Sequence, residues 1–194
     1  MELRNSGHRY STALVALHWL TLVLLIAVYA AMELRGLAPK GSDMRTNMKA
    51  LHFLLGLVVL VVVLVRIGAR WSAGAAPPIL PPMPGWQDKL ASLLHYALYV
   101  FMLATPILGW LTLSADGKPI VLFGLPVPSL VGADQSLAHQ LKEVHETLAT
   151  AGYFLIGAHA LAALMHHYVT RDNTLVRMLP RGAAAGEWAR REAR

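Results

Sequence analysis

The chain has 194 residues, 56% hydrophobic and 14% charged, with a formal net charge of +6. Soluble domains carry about 25% charged residues, so this composition points to a membrane protein whose positive excess reflects loop topology rather than nucleic-acid binding. With no cysteine in the sequence, disulfides, iron–sulfur clusters, thiolate haem ligation and covalent c-type haem attachment are excluded.

Met1 to Tyr10 is polar, and the apolar run that follows is too long for a signal h-region, so no cleaved leader is expected. Four apolar stretches follow, at about 13–33, 48–69, 89–113 and 140–168. As helices each spans the roughly 30 Å of bilayer hydrocarbon. They predict one all-α domain over 1–194, an integral membrane four-helix bundle. Pro106 should kink the third helix. Ala75 to Gly85 holds five prolines and reads as an extended loop. Ala115 to Gly132 reads as a second irregular loop, whose Ile120 to Phe123 dips back toward the membrane. Arg171, Asp172 and Asn173 make a polar break, and a basic cytoplasmic tail occupies about 171–194.

Of the 17 Lys and Arg residues, eleven fall on the side of the termini and the second loop: Arg4, Arg9, Arg66, Arg70, Lys89, Arg171, Arg177, Arg181, Arg190, Arg191 and Arg194. The other six are Arg35, Lys40, Arg45, Lys49, Lys118 and Lys142. The positive-inside rule therefore predicts that both termini are cytoplasmic. The outer cations are either balanced by neighbouring acids or form a positive mouth near the first loop that attracts an anion.

His18, His52, His145 and His159 lie inside the apolar stretches, where ionisable side chains are costly and mark a functional path or a bound group. His145 and His159 are fourteen residues apart, about four helical turns, so they share one face some 21 Å apart along the axis. Depth in the membrane pairs His52 with His145 near the outside and His18 with His159 near the cytoplasm. That layout predicts two b haems, each held by two histidines from facing helices. His95, at the depth of His18, competes for the inner site as ligand or neighbour. His166 lies beyond the inner pair and is placed to donate to a quinone carbonyl, or else forms an interfacial polar pair with His167. His8 and His139 read as loop residues. Gly56, Gly152 and Gly157 give a flat macrocycle room, or serve ordinary helix packing. Arg177 and Arg181 read as contacts to anionic lipid before haem propionates.

These residues resemble the bacterial cytochrome b561 family, and within it the branch that uses superoxide. The likeness rests on Leu17-His18-Trp19, Ala31-Met32-Glu33-Leu34-Arg35-Gly36, the Pro-rich loop, His145-Glu146-Thr147-Leu148-Ala149, Gly152-Tyr153-Phe154, His159-Ala160, His166-His167-Tyr168 and Asp172-Asn173-Thr174-Leu175. The resemblance implies an inner-membrane oxidoreductase with two haem b groups, ligated by His18 with His159 and by His52 with His145. It implies ubiquinone as electron acceptor near His166. It implies that superoxide enters at the periplasmic face near Arg35 and Lys142. Superoxide, ubiquinone and membrane lipid are then its partners, with no nucleic acid and no obligatory protein. Two other readings stay open: a cytochrome b relay between a partner dehydrogenase and the quinone pool, and a histidine-lined metal or proton transporter.

Overall fold

The structure is a computed structural model that describes residues 3–180 and 182. Among them, four helices are long and apolar enough to cross a membrane: α1 (Thr12–Leu37), α2 (Asp43–Ser72), α3 (Gly85–Ala115) and α4 (Gln135–Met165), the last prolonged by a π-helical turn at His166–Thr170. Each helix outruns its apolar stretch, because hydropathy stops at the first charges while the backbone continues to its cap. Ser11, Ser42 and Asp134 supply those caps, accepting from the amides of Leu14 (3.3 Å), Arg45 (3.2 Å) and Leu137 (3.0 Å). Each satisfies one of the amides that the first turn of a helix leaves unpaired. His139 thus lies within α4, not in a loop. Val23, Ile26, Val61, Leu64, Phe154 and Leu161 are exposed, as suits helices whose solvent is hydrocarbon. The tail residues Arg181, Arg190, Arg191 and Arg194 lie outside the described residues.

The chain divides into two compact units, each gathering segments of all four helices. The first comprises Met1–Trp19, Val65–Leu98 and Phe154–Arg194. Its Pro-rich loop is extended, as expected, and its carbonyls have no strand partners. Asn5 donates to Ala75 O (2.9 Å), and the segment after α4 supplies donors to Pro77, Pro78 and Leu80. The Asn173 side chain accepts from the Leu80 amide (2.9 Å), while the Asn173 amide donates to the Leu80 carbonyl (3.1 Å). Arg177 donates to the Pro77 carbonyl and lies 5.5 Å from the Tyr10 ring centre. Trp19 Nε1 donates to Met178 O at 2.8 Å. Of the stretch read as a polar break, Arg171 is exposed but Asp172 and Asn173 are buried, and with the buried Arg177 they form a knot. Its polar groups fold inward because buried loop carbonyls need donors. Arg177 is committed to that task and is not a lipid contact. Burial pulls its guanidinium below the ordinary arginine range.

The second unit comprises Leu20–Leu64 and Tyr99–Tyr153. The loop expected to be irregular contains an antiparallel hairpin, β1 (Ile120–Leu122) with β2 (Leu125–Val127), pairing Ile120 with Val127. Phe123 and Gly124 turn it with φ of 51° and 81°, the two positive values of a type I′ turn. Ile120 packs with Leu57 and Leu113, flanked by Phe53 and Trp110. Ile120 and Leu122 of the apolar run thus cap this unit's own core, while Val121 and Phe123 are exposed. A Cβ on Gly152 would overlap the Tyr29 hydroxyl and the Phe101 ring, so Gly152 serves close helix packing.

Candidate functional sites

In the second unit, α2 and α4 bring His52 and His145 together, ring centres 6.0 Å apart and planes at 87°. His145 Nδ1 donates to Thr105 O (2.9 Å), and His52 Nδ1 donates to Val28 O (3.2 Å). A carbonyl can only accept, so both protons sit on Nδ1 and both Nε2 atoms keep a lone pair. This is the tautomer and ring anchoring that metal-ligating histidines use. Gly109 on α3 makes the arrangement possible: a Cβ there would lie 3.3 Å from His145 Cε1. The sequence reading missed Gly109, since its cause is a ring arriving from another helix.

These rings line a cavity of about 390 Å³. Gly56 lines it too, and a Cβ at Gly56 would meet nothing within 4 Å. Charged side chains on the same wall are Arg35, Lys49 and Lys142, with Glu33, Asp116 and Glu146. Lys142 pairs with Glu146 at 2.9 Å, and both are more than half exposed. Arg35 Nε is buried without a hydrogen-bond partner among the described residues. Lys49 lies 5.5 Å from the Phe53 ring centre. It was not singled out from sequence, although it precedes His52 by three residues and so shares its helix face. Lys118 pairs with Asp116, and its hydrogen bond holds the Asp116 carboxyl below the usual carboxylate range.

In the first unit, His18 on α1 and His159 on α4 have ring centres 6.2 Å apart, with planes at 67°. His95 on α3 is nearer still, 5.1 Å from His159, and its Nδ1 bonds Ala91 O at 2.6 Å. His18 differs from the other pair in its Nδ1 contact, which is Arg66 at 3.0 Å. His166 is buried and donates from Nδ1 to Asp172 at 2.5 Å. Burial alone would push the Asp172 carboxyl up; the hydrogen bonds from His166 and Thr174 outweigh it and hold the group below its ordinary value. A Cβ at Gly157 would meet nothing within 4 Å.

Both histidine pairs pass one geometric test. Two imidazoles on opposite sides of a metal ion, each nitrogen about 2 Å from it, have ring centres about 6 Å apart. No group of three or more His, Asp or Glu side chains among the described residues could hold a metal ion.

The sequence profile described as prokaryotic cytochrome b561 matches residues 9–181. This chain belongs to the prokaryotic cytochrome b561 family. Cytochrome b561 homolog 1 of Escherichia coli is 45% identical over 90% of this chain and 98% of its own length. The probable superoxide oxidase CybB of Yersinia pestis is 40% identical over 89% of this chain and 97% of its own. The cytochrome b562 of Cereibacter sphaeroides is 32% identical over 88% and 94%. As a cytochrome b561 the chain is a bacterial membrane cytochrome b, an oxidoreductase-type electron-transfer protein of a family that binds haem b.

Proposed function

We propose that the chain is a superoxide:ubiquinone oxidoreductase, a single membrane domain over 1–194 holding two haem b groups. His52 and His145 hold one, and His18 and His159 the other. The observation that carries this reading is the pair of cross-helix histidine couples with ring centres 6.0 and 6.2 Å apart, a spacing at which each couple would hold one haem between its two imidazoles. Haem bound there supplies reversible one-electron chemistry. Likeness to a protein named a probable superoxide oxidase supports the choice of donor.

In this reading both termini are cytoplasmic and the loop between α1 and α2 faces the periplasm. Arg35, Lys49 and Lys142, set among Glu33, Asp116 and Glu146, are the cations at the second unit's cavity that draw in the superoxide anion. Two superoxide anions each lose one electron and leave as oxygen; one ubiquinone takes the two electrons and two protons to become ubiquinol. His166 meets a quinone carbonyl. Asp172 orients its ring through Nδ1 and leaves Nε2 to hand over the proton. His95 borders the inner pair, its ring centre 5.1 Å from that of His159. No obligatory protein partner is required.

The test follows the haem α-band of the purified protein after a superoxide pulse with ubiquinone present. The band should grow rapidly and then decay as ubiquinol forms. A b-type band indifferent to superoxide, but reduced by a partner dehydrogenase, would make the chain a relay. Arg35→Glu should slow growth of the band and flatten its salt dependence. His166→Ala should leave both haems bound and slow ubiquinol formation.

A further inference from the structure

We infer that the β1–β2 hairpin of the second unit beds its apolar edge in the lipid boundary of the bilayer. Between Lys118 and Asp134 the sequence holds no charged residue, although the segment lies outside the four helices long enough to span. Val121, Phe123 and Leu125 are 54%, 76% and 71% exposed. Exposed apolar side chains scattered singly are ordinary, but a group of them on one short element marks a surface with a partner.

The hairpin's other face identifies that partner as lipid, because it sits on two spanning helices. Ile120 packs against Leu57 of α2 and Leu113 of α3, with Leu122 and Val127 beside them. Leu57 lies eight residues past Lys49, and no charge follows until Arg66. The wall under the hairpin is thus about 12 Å along the axis from the last outer charge of α2. The return arm is fastened as well. Trp110 Nε1 donates to Pro128 O (3.0 Å), and the Leu130 amide donates to Ser114 Oγ (3.1 Å). An indole with an apolar body and a bonded N–H suits the membrane–water boundary. Pinned on both arms, the hairpin holds Phe123 close to the depth of its helices. Those helices already give Val61 and Ile107 to lipid. The backbone limits how deep the edge can go. A two-stranded hairpin leaves amides and carbonyls on its outer edges, which hydrocarbon cannot pair. Headgroups and their water can, so the strands lie among headgroups while the apolar side chains reach the acyl chains, as amphipathic elements do in the interface.

The cysteine-free chain lets one introduced cysteine carry one nitroxide. Full-length Phe123→Cys is labelled and reconstituted in vesicles of phosphatidylcholine and phosphatidylglycerol. Val61→Cys, on the exposed face of α2, and Asn47→Cys, exposed near its start, serve as lipid and water references. Collisions with oxygen, which concentrates in lipid, are compared with collisions with a neutral nickel chelate, which stays in water. The oxygen-to-nickel ratio at 123 should be severalfold above that at 47 and short of that at 61. A ratio equal to that at 47 would overturn the inference. Spin–spin broadening with few collisions of either kind would make the cover a second copy of the chain and overturn the lipid assignment. A nitroxide can carry a loop into lipid, so the unaltered chain decides. Vesicles containing a lipid with a diazirine near the glycerol end of its acyl chain are irradiated, and adducts are mapped by mass spectrometry. Adducts within 119–133 are expected beside those on α2. Adducts on α2 with none in 119–133 would sink the proposal, whatever the nitroxide reads.

Discussion

The two histidine pairs have nearly the same ring separation but are held by different means. In the second unit both Nδ1 atoms rest on backbone carbonyls, of Val28 and Thr105, and a glycine clears the space for one ring. In the first unit the neighbours are ionisable side chains: Arg66 at His18, His95 at His159, and Asp172 at His166. Backbone anchors fix geometry and carry no titratable charge. Side-chain anchors bring charge and hydrogen-bond donors to the rings they hold. In the proposed reading, the difference suits one site that passes electrons and another that also delivers protons.

The sharpest way to break this comparison is to remove one ligand from each unit. His145→Ala and His18→Ala should each lower haem content from two per chain to one, measured by pyridine haemochrome against protein. Loss of both haems from either variant would mean that the sites are not independent. A somewhat smaller effect is expected from Gly109→Val. Its side chain meets the His145 ring, so the second unit's haem should fall well below full occupancy while the first unit's stays. Asp172→Asn tests the side-chain strategy. It should cost about 1–3 kcal/mol of stability near neutral pH, the usual penalty for weakening a buried charged hydrogen bond. The Asp172 carboxyl is held below its ordinary value. Its contribution is thus complete above the unfolded aspartate value of about 3.9 and disappears as pH falls through the lower folded value. Thermal melts of wild type and variant should converge in acid; a constant gap would contradict this. Smallest of all should be Lys142→Ala, which removes an exposed pair with Glu146 worth about 0.2–1 kcal/mol. Its superoxide rate should fall less than that of Arg35→Glu.

Hydropathy made the four spans legible, because a bilayer imposes a length and a composition that no other part of the chain meets. Histidine depth and the fourteen-residue spacing made the pairs legible, since helix geometry turns a sequence interval into a distance. What stayed hidden depends on which segments meet in space. Gly109 matters only because His145 arrives beside it. Arg66 counted as one topogenic charge until α1 brought His18 to it. Asp172 and Asn173 look like part of a solvated break and Arg177 like a lipid contact, since composition cannot reveal a proline-rich partner nearly a hundred residues earlier. The hairpin escaped because Phe123-Gly124 is not a strong turn pair, and its strands are three residues each.

That knot also sets an order of assembly. Asn173 and Arg177 bond loop residues 93 to 100 positions earlier. A chain emerging from its N-terminus can insert three helices and the proline-rich loop before either residue has been made. The carbonyls of Pro77, Pro78 and Leu80 must therefore wait for their donors until the last helix is in place. His159, on that last helix, arrives just ahead of the residues that fasten the loop. Completion of the first unit is thus a late event of biogenesis, and a chain cut short after α4 would possess every histidine of the pairs and still lack its clasp.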